Sequence, residues 1–137
     1  MRHLLLFLAV IGCSLAFLGL GRKQSVAVRG RLFCGGLPVA GVKVKLYERG
    51  KLKDTKLNEV TTDINGDFLV SGSTAGITSV EPKIKILHKC NYSGRCFRRT
   101  SIKIPKSQVS SGKLPAKVHD VGFINLMNKF PGEKREC

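Results

Sequence analysis

The alternation of apolar and polar residues in short runs is the strongest constraint on the fold. One run places Val42, Val44 and Leu46 at every second position, with Lys43 and Lys45 between them. Successive side chains of a β-strand point to opposite faces, so this period of two predicts a strand with one dry and one wet face. A last strand is expected near residues 118–126. The pattern also recurs in three further runs: Val26, Val28, Leu32 and Cys34; Ile84, Ile86, His88 and Cys90; Thr100, Ile102 and Ile104.

Turn and loop signals separate these runs. The polar, Lys-rich stretch 48–58 has no period and is predicted to be a loop. Asn65-Gly66 lies between two β-prone runs, and this dipeptide is the strongest hairpin signal in the chain because both residues tolerate positive φ. The tail 128–137 is expected to be irregular. With room for one domain in 137 residues, about seven strands and little helix predict an all-β antiparallel sandwich.

Residues 1–16 have the composition of a secretory signal peptide. A positive start, Met1-Arg2-His3, precedes an apolar core, and Ser14-Leu15-Ala16 supplies small residues where signal peptidase reads. The apolar stretch is too short to favour a transmembrane anchor. Cleavage is predicted directly after that tripeptide, with Gly21 as the alternative, and the protein is expected to be secreted and extracellular. The mature chain would then comprise an extension (17–23), a sandwich (24–127) and a tail (128–137).

Secretion gives the cysteines a structural meaning. Removal of the leader leaves Cys34, Cys90, Cys96 and Cys137, an even number that predicts two disulfides with three possible pairings. Cys90 and Cys96 flank a five-residue loop between two predicted antiparallel strands, which favours a bond across that hairpin. Cys34–Cys137 would then fasten the tail to the first strand. A zinc site is the weaker alternative because there is no Cys-x-x-Cys pair, and we predict neither metal nor cofactor.

The chain is strongly basic, with a formal net charge of +15, of which the leader carries only the charge of Arg2. Such a field attracts anionic partners. Export disfavours nucleic acid, so acidic phospholipid headgroups, sulfated glycans or an acidic extracellular protein are the expected partners. Solubility and protection of sheet edges are the alternative role for these lysines. Candidate anion-binding residues lie on the wet faces of two strands and in the predicted loop: Lys43, Lys45, Lys83, Lys85, Lys51, Lys53 and Lys56.

Three smaller motifs carry separate predictions. Asn91-Tyr92-Ser93 is an N-glycosylation sequon in a predicted loop of an exported protein. Asp63, just before the Asn-Gly turn, is expected to bond its own backbone in an Asx-type turn rather than to bind a cation. His88 has the apolar parity of its strand and is expected to be buried and neutral.

Several phrases, taken in order, resemble the transthyretin-like proteins that are abundant in nematodes. The resemblance covers residues 24–126. It rests on the following segments: Gln24 to Gly30, Cys34-Gly35-Gly36-Leu37-Pro38, Gly41 to Glu48, Thr62-Asp63-Ile64-Asn65-Gly66-Asp67-Phe68, His88-Lys89-Cys90, Ile104-Pro105 and Asp120-Val121-Gly122. It implies a transthyretin-type β-sandwich that is secreted and disulfide-bonded.

The resemblance does not imply catalysis. The related hydroxyisourate hydrolases use a His and Arg constellation and a C-terminal Tyr-Arg-Gly-Ser, whereas this chain ends Glu133-Lys134-Arg135-Glu136-Cys137. We therefore expect a binding module and not an enzyme. The alternatives are a hydrolase that uses His88 or His119, and a carrier that holds a small hydrophobic ligand between subunits. The oligomeric state stays open.

Overall fold

A computed structural model of the chain describes residues 23–75 and 80–137, so the predicted signal peptide lies outside the described residues. The described residues form ten strands and one 3-10 helix (Lys106–Gln108). The strands are β1 (Lys23–Cys34), β2 (Leu37–Pro38), β3 (Lys43–Glu48), β4 (Thr55–Thr61), β5 (Asp67–Ala75), β6 (Pro82–His88), β7 (Phe97–Lys103), β8 (Ser110–Ser111), β9 (His119–Asn125) and β10 (Lys134–Glu136).

The strands form two sheets, which confirms the predicted all-β sandwich. The first sheet is built around β1, which pairs with β5 along most of its length and also with β2, β8 and β9. The second sheet has the order β10-β7-β6-β3-β4 and is antiparallel throughout. One pair departs from the antiparallel expectation, because β9 runs parallel to β1. After β7 the chain crosses to the first sheet, where β8 pairs antiparallel with one end of β1. The loop 112–118 then reverses the chain, so β9 runs parallel to β1.

The core lies between the sheets and is filled by the apolar parity of the alternating runs. Val28 and Leu32 of the first sheet are fully buried, as are Val44, Leu46 and Ile86 of the second. Each such side chain contributes about 1.5–3 kcal/mol when it is removed from water. Because the even-numbered residues of β3 and β6 point inward, their lysines at odd positions must point outward.

The predicted loop 48–58 is wrong at its second half, because β4 already begins at Thr55. A register shift opposite Leu46 and Tyr47 leaves Leu57 as an extra residue in the ladder with β3. Such a bulge changes the parity of the strand, so its apolar residues Leu57 and Val60 are not spaced by an even number. Both pack against the core, yet no alternation is visible in the sequence.

The Asn-Gly segment is a turn but not a hairpin. It joins β4 of the second sheet to β5 of the first, so the two flanking strands do not pair with each other. The carboxylate of Asp63 accepts the backbone N–H groups of Asn65 and Asp67, each at 2.9 Å, which confirms the Asx-type turn. Gly66 has φ +78°, and a Cβ there would collide with the carbonyl oxygen of Leu32. The prediction of a turn at Asn65-Gly66 is therefore confirmed, whereas the predicted hairpin is wrong because β5 pairs with the distant strand β1.

The predicted disulfide pairing is wrong: the bonds are Cys34–Cys90 and Cys96–Cys137. Cys90 continues the inward parity of β6 and is buried, so its sulfur meets Cys34 at the end of β1 in the facing sheet. The tail is not irregular, because it contains β10, which pairs with β7. In that register Glu136 lies opposite Phe97, which brings the next residue, Cys137, beside Cys96.

Candidate functional site

The outer face of the second sheet carries many basic side chains. The odd-numbered positions of β3, β6 and β7 point outward, and the strand register places outward side chains of β4 and β10 beside them. We call this surface the basic face, and its eight basic residues are Lys43, Lys45, Lys56, Lys83, Lys85, Arg99, Lys103 and Lys134. Three carboxylates oppose them: Asp54, Glu59 and Glu136.

The outer face of the first sheet differs in character, because two of its arginines are each paired with one carboxylate. Arg29 bonds Asp120 at 3.2 Å, and Arg31 donates two hydrogen bonds to Asp67 at 2.6 and 3.0 Å. The Arg31 guanidinium lowers the pKa of the Asp67 carboxyl. The exposed Phe123 ring lies against Arg31, beside a shallow pocket of about 420 Å³. These two arginine–aspartate pairs therefore add no net charge to this face.

Several lysines of the basic face form ion pairs with carboxylates of the same protein. Asp54 lies at the end of the β3–β4 loop, and its Oδ2 is 2.5 Å from Lys83 Nζ and 3.4 Å from Lys85 Nζ. The hydrogen bond from Lys83 holds the pKa of Asp54 below its usual value. Glu59 likewise approaches Lys56 at 3.3 Å and Lys45 at 3.9 Å. Lys43, Lys103 and Lys134 form no ion pair with another described residue, so their charge remains available.

A groove of about 610 Å³ lies where β6 and β7 reach the end of the basic face. Arg49, Lys83, Lys103 and Lys106 line it together with the single carboxylate of Glu81. Glu81 lies 3.0 Å from Lys106, which lowers the pKa of the Glu81 carboxyl. The groove therefore has an excess of positive charge and room for a small anionic group.

The structure brings together most of the lysines that the alternation pattern singled out. Lys43, Lys45, Lys83 and Lys85 lie on one face, as expected, and Lys56 joins them from β4 instead of from a loop. Lys51 and Lys53 are exposed at the loop tip and belong to no strand. The sequence-based set omitted three members of the face: Arg99, Lys103 and Lys134. The alternation along β7 indicates that Arg99 and Lys103 point outward. Lys134 could be placed on the face only if β10 had been predicted as a strand.

Asn91 of the predicted sequon is exposed in the turn between β6 and β7 and has φ +51°. Glycosylation of this residue remains a prediction. The turn projects away from the core, and the neighbouring Tyr92 ring is covered by the Arg135 side chain at 5.2 Å.

His88 is buried, as its parity predicted, beside the guanidinium of Arg98. Its Nδ1 accepts the backbone N–H of Cys90 at 3.1 Å, and its Nε2 has no hydrogen-bond partner in the described residues. Burial, reinforced by the positive charge of Arg98, lowers the pKa of His88 to about 4. A neutral, buried imidazole that is already bonded to the backbone fits a structural role better than that of a catalytic base.

The lowered pKa of His88 predicts a pH-dependent stability. A histidine that charges more easily when unfolded stabilises the fold above its unfolded pKa of 6.5, and this contribution is lost as the pH falls toward 4. Between pH 7 and 5 the free energy of unfolding should fall by about 2 kcal/mol. His88→Gln should abolish this loss, and urea titration at each pH measures it. His119→Gln is the control and should leave the pH dependence intact; equal dependence in both variants would contradict the assignment.

Within residues 23–75 and 80–137, no group of three or more His, Cys, Asp or Glu side chains is arranged to hold a metal ion. The same part of the chain contains no helix with the length and apolarity that crossing a bilayer requires.

The described residues thus define a small, disulfide-bonded β-sandwich protein whose two outer faces differ in charge. The sequence model of the transthyretin-like family matches residues 29–105. The chain belongs to the transthyretin-like family, as its motifs predicted.

Relatives in Caenorhabditis elegans match nearly the whole chain. Transthyretin-like protein 5 is 41% identical over 98% of this chain and 97% of its own length. Transthyretin-like protein 46 is 41% identical over 96% of this chain and 73% of its own length. Transthyretin-like protein 2 is 38% identical over 99% of this chain and 97% of its own length. None of the three is named for an enzymatic activity.

Proposed function

We propose that this protein is a secreted binding module whose basic face attaches to the phosphate or sulfate groups of an extended anionic partner. Acidic phospholipid headgroups and sulfated glycans both present this chemistry. The observation that supports the proposal is the grouping of eight basic side chains against three carboxylates on one sheet face. On the opposite face Arg29 and Arg31 are each paired with one carboxylate, whereas the basic face has more than twice as many cations as carboxylates.

The shape of the basic face favours an extended partner over a single small ligand. Five strands about 4.8 Å apart present a surface roughly 19 Å wide across the strands. Each lysine near an anionic surface contributes only about 1 kcal/mol, so useful affinity requires several of them at once. The groove beside Lys83 and Lys103 could hold one headgroup or one sulfated sugar while the rest of the face contacts its neighbours.

Secretion is part of the same proposal. The predicted signal peptide 1–16 would direct the chain to an oxidising compartment, where both disulfides are stable. The two bonds are compatible with that location. In this setting the partner would be a membrane surface or matrix glycan outside the cell, or else an acidic protein.

Reversing two of the three unpaired lysines of the basic face should weaken binding strongly. Lys43→Glu with Lys103→Glu removes two contacts of about fivefold each, so the Kd should rise at least about 25-fold. Binding is measured to phosphatidylcholine vesicles that contain phosphatidylglycerol, and in parallel to immobilised heparin. The two arms distinguish a lipid surface from a sulfated glycan. Raising the salt concentration to physiological strength should weaken wild-type binding, because the Debye length contracts to about 8 Å.

The matched control is Lys113→Glu with Lys117→Glu, which makes the same charge change in the exposed loop that precedes β9. This control should bind far better than the basic-face variant. Equal loss in both variants would show that net charge alone is responsible. Failure of the wild type to bind vesicles and heparin would overturn the proposal for phosphate and sulfate groups, and would leave an acidic protein as the partner.

A further inference from the structure

Two neighbouring lysines of β6 converge on one carboxylate oxygen that does not belong to the sheet. Lys83 and Lys85 both direct their Nζ atoms at Oδ2 of Asp54. The three side chains keep between 14% and 24% of their exposure, so the group is mostly covered but still reaches solvent. Like charges on the same face of a strand repel each other, and a shared anion between them removes this repulsion.

The lysines are positioned by the sheet rather than by Asp54. Lys83 lies directly opposite Tyr47 in the ladder between β3 and β6, and Lys85 lies opposite Lys45. The Nζ of Lys85 is 4.0 Å from the centre of the Tyr47 ring, a cation–π contact that restricts the long side chain. The ammonium group of Lys85 would therefore remain close to its present position if the carboxylate were withdrawn, and the ladder keeps the start of the Lys83 side chain beside it.

Asp54, in contrast, is delivered by a loop. It is the last residue before β4, and the loop tip that precedes it is exposed, with Leu52 fully in solvent. The loop folds tightly at its start, since a Cβ on Gly50 would collide with the carbonyl oxygen of Lys53. A side chain at the end of such a loop can move away from the sheet without disturbing the core.

We propose that Lys83 and Lys85, the latter held by the Tyr47 ring, form a cradle for a single phosphate or sulfate group, and that Asp54 fills this cradle as an internal competitor in the free protein. The inference rests on the proposed function, because the cradle would hold one group of the partner that the basic face binds. A tetrahedral oxyanion can offer a separate oxygen to each ammonium group, whereas Asp54 offers both of them the same oxygen.

Asp54 leaves the cradle when another anion displaces it, and not because its carboxylate becomes protonated. Because Lys83 lowers the pKa of Asp54, this carboxyl stays charged until the pH falls below its usual range. At ordinary pH the carboxylate leaves only when another anion takes its place. The internal competitor thereby sets a threshold, so isolated anions in solution bind weakly while a dense anionic surface displaces Asp54.

Asp54→Asn tests the inference, because it removes the charge and keeps the size of the side chain. Glu59→Gln is the matched control, since it makes the same charge change on the same face but frees Lys45 and Lys56 instead. Affinity for vesicles of phosphatidylcholine and phosphatidylglycerol should rise at least about fivefold more in Asp54→Asn than in the control. Equal affinities in the two variants would overturn the cradle and leave the basic face as proposed.

A titration with inorganic phosphate separates the cradle from the proposed function. The NMR signals of the Lys83 and Lys85 side chains should shift on addition of phosphate, and should do so at lower concentration in Asp54→Asn than in wild type. This result would support the cradle even if neither protein bound vesicles, in which case the proposed function alone would fail. Absence of any shift in Asp54→Asn would overturn the cradle whatever the vesicles show.

Discussion

Replacement of Arg98 by methionine is expected to lower the free energy of unfolding by about 3–5 kcal/mol. The guanidinium is buried and donates to the backbone carbonyls of Cys90, Leu126 and Asn128 at 2.7–3.1 Å. It also donates two hydrogen bonds to the Glu133 carboxylate, at 2.7 and 3.1 Å. Methionine keeps much of the apolar volume but leaves these acceptors without donors and strands the charge of Glu133 inside the protein. Urea denaturation measures the loss.

Arg99 provides the matched control because it is the next residue of β7 and points to the opposite side. Its ion pair with Glu136 lies at 3.0 Å near the surface. Arg99→Met should therefore cost no more than about 1 kcal/mol. Adding Glu133→Leu to Arg98→Met should recover part of the loss, since it removes the stranded carboxylate. Equal destabilisation by Arg98→Met and Arg99→Met would contradict the role assigned to Arg98.

The contacts of Cys90 explain why this region matters for the whole fold. Its carbonyl accepts from Arg98, its N–H donates to His88, and its sulfur bonds Cys34 of the facing sheet. Cys90 thereby links the end of β6 to β1, and Arg98 extends the connection to the C-terminal segment. Disruption of any of these bonds would loosen the end of the sandwich that carries the tail, and would leave the basic face at β3 and β4 in place.

The sequence predicted the strands where alternation is regular, and failed where it is not. Runs such as Val42 to Leu46 identify both the strand and the face to which each lysine points, because the side-chain period is a property of single strands. The bulge at Leu57 breaks that period and concealed β4. The Asn65-Gly66 turn is a local signal, and it carries no information on which sheet each flanking strand joins.

The chemistry of the candidate site was predictable in part for the same reason. Parity alone placed Lys83 and Lys85 on one outward face. Their pairing with Asp54 could not be foreseen, because Asp54 reaches them from a loop with no periodic pattern. Cysteine pairing is equally non-local: the hairpin argument for Cys90 considered only its neighbours in the chain, whereas the facing sheet supplied its partner.

Loss of the Cys34–Cys90 bond should destabilise the protein far more than loss of Cys96–Cys137. The two bonds close loops of similar length, with sequence separations of 56 and 41. The chain-entropy model therefore assigns each of them about 4 kcal/mol. That model holds only when the protein unfolds as one unit. The two bonds differ in how much of the folded structure becomes free to move when each is removed.

Cys34→Ala with Cys90→Ala separates the two sheets at one end and empties a buried site in the core, so the full cost of about 4 kcal/mol or more is expected. Cys96→Ala with Cys137→Ala frees only the short strand β10, whose segment the Arg98–Glu133 pair still holds. The main effect is then local fraying of β10. The free energy of global unfolding should fall by at most about half as much as in the Cys34/Cys90 variant.

Urea denaturation of the two double variants compares these costs, and hydrogen exchange locates the change. In the Cys96/Cys137 variant, faster exchange should be confined to β10 and its partner β7, whereas in the Cys34/Cys90 variant it should extend to β1 and β6. Non-reducing peptide mapping of the wild type checks the pairing on which both expectations depend. Equal losses of stability would mean that the tail is as essential to the fold as the bond between the sheets, and that Arg98 does not hold β10 by itself.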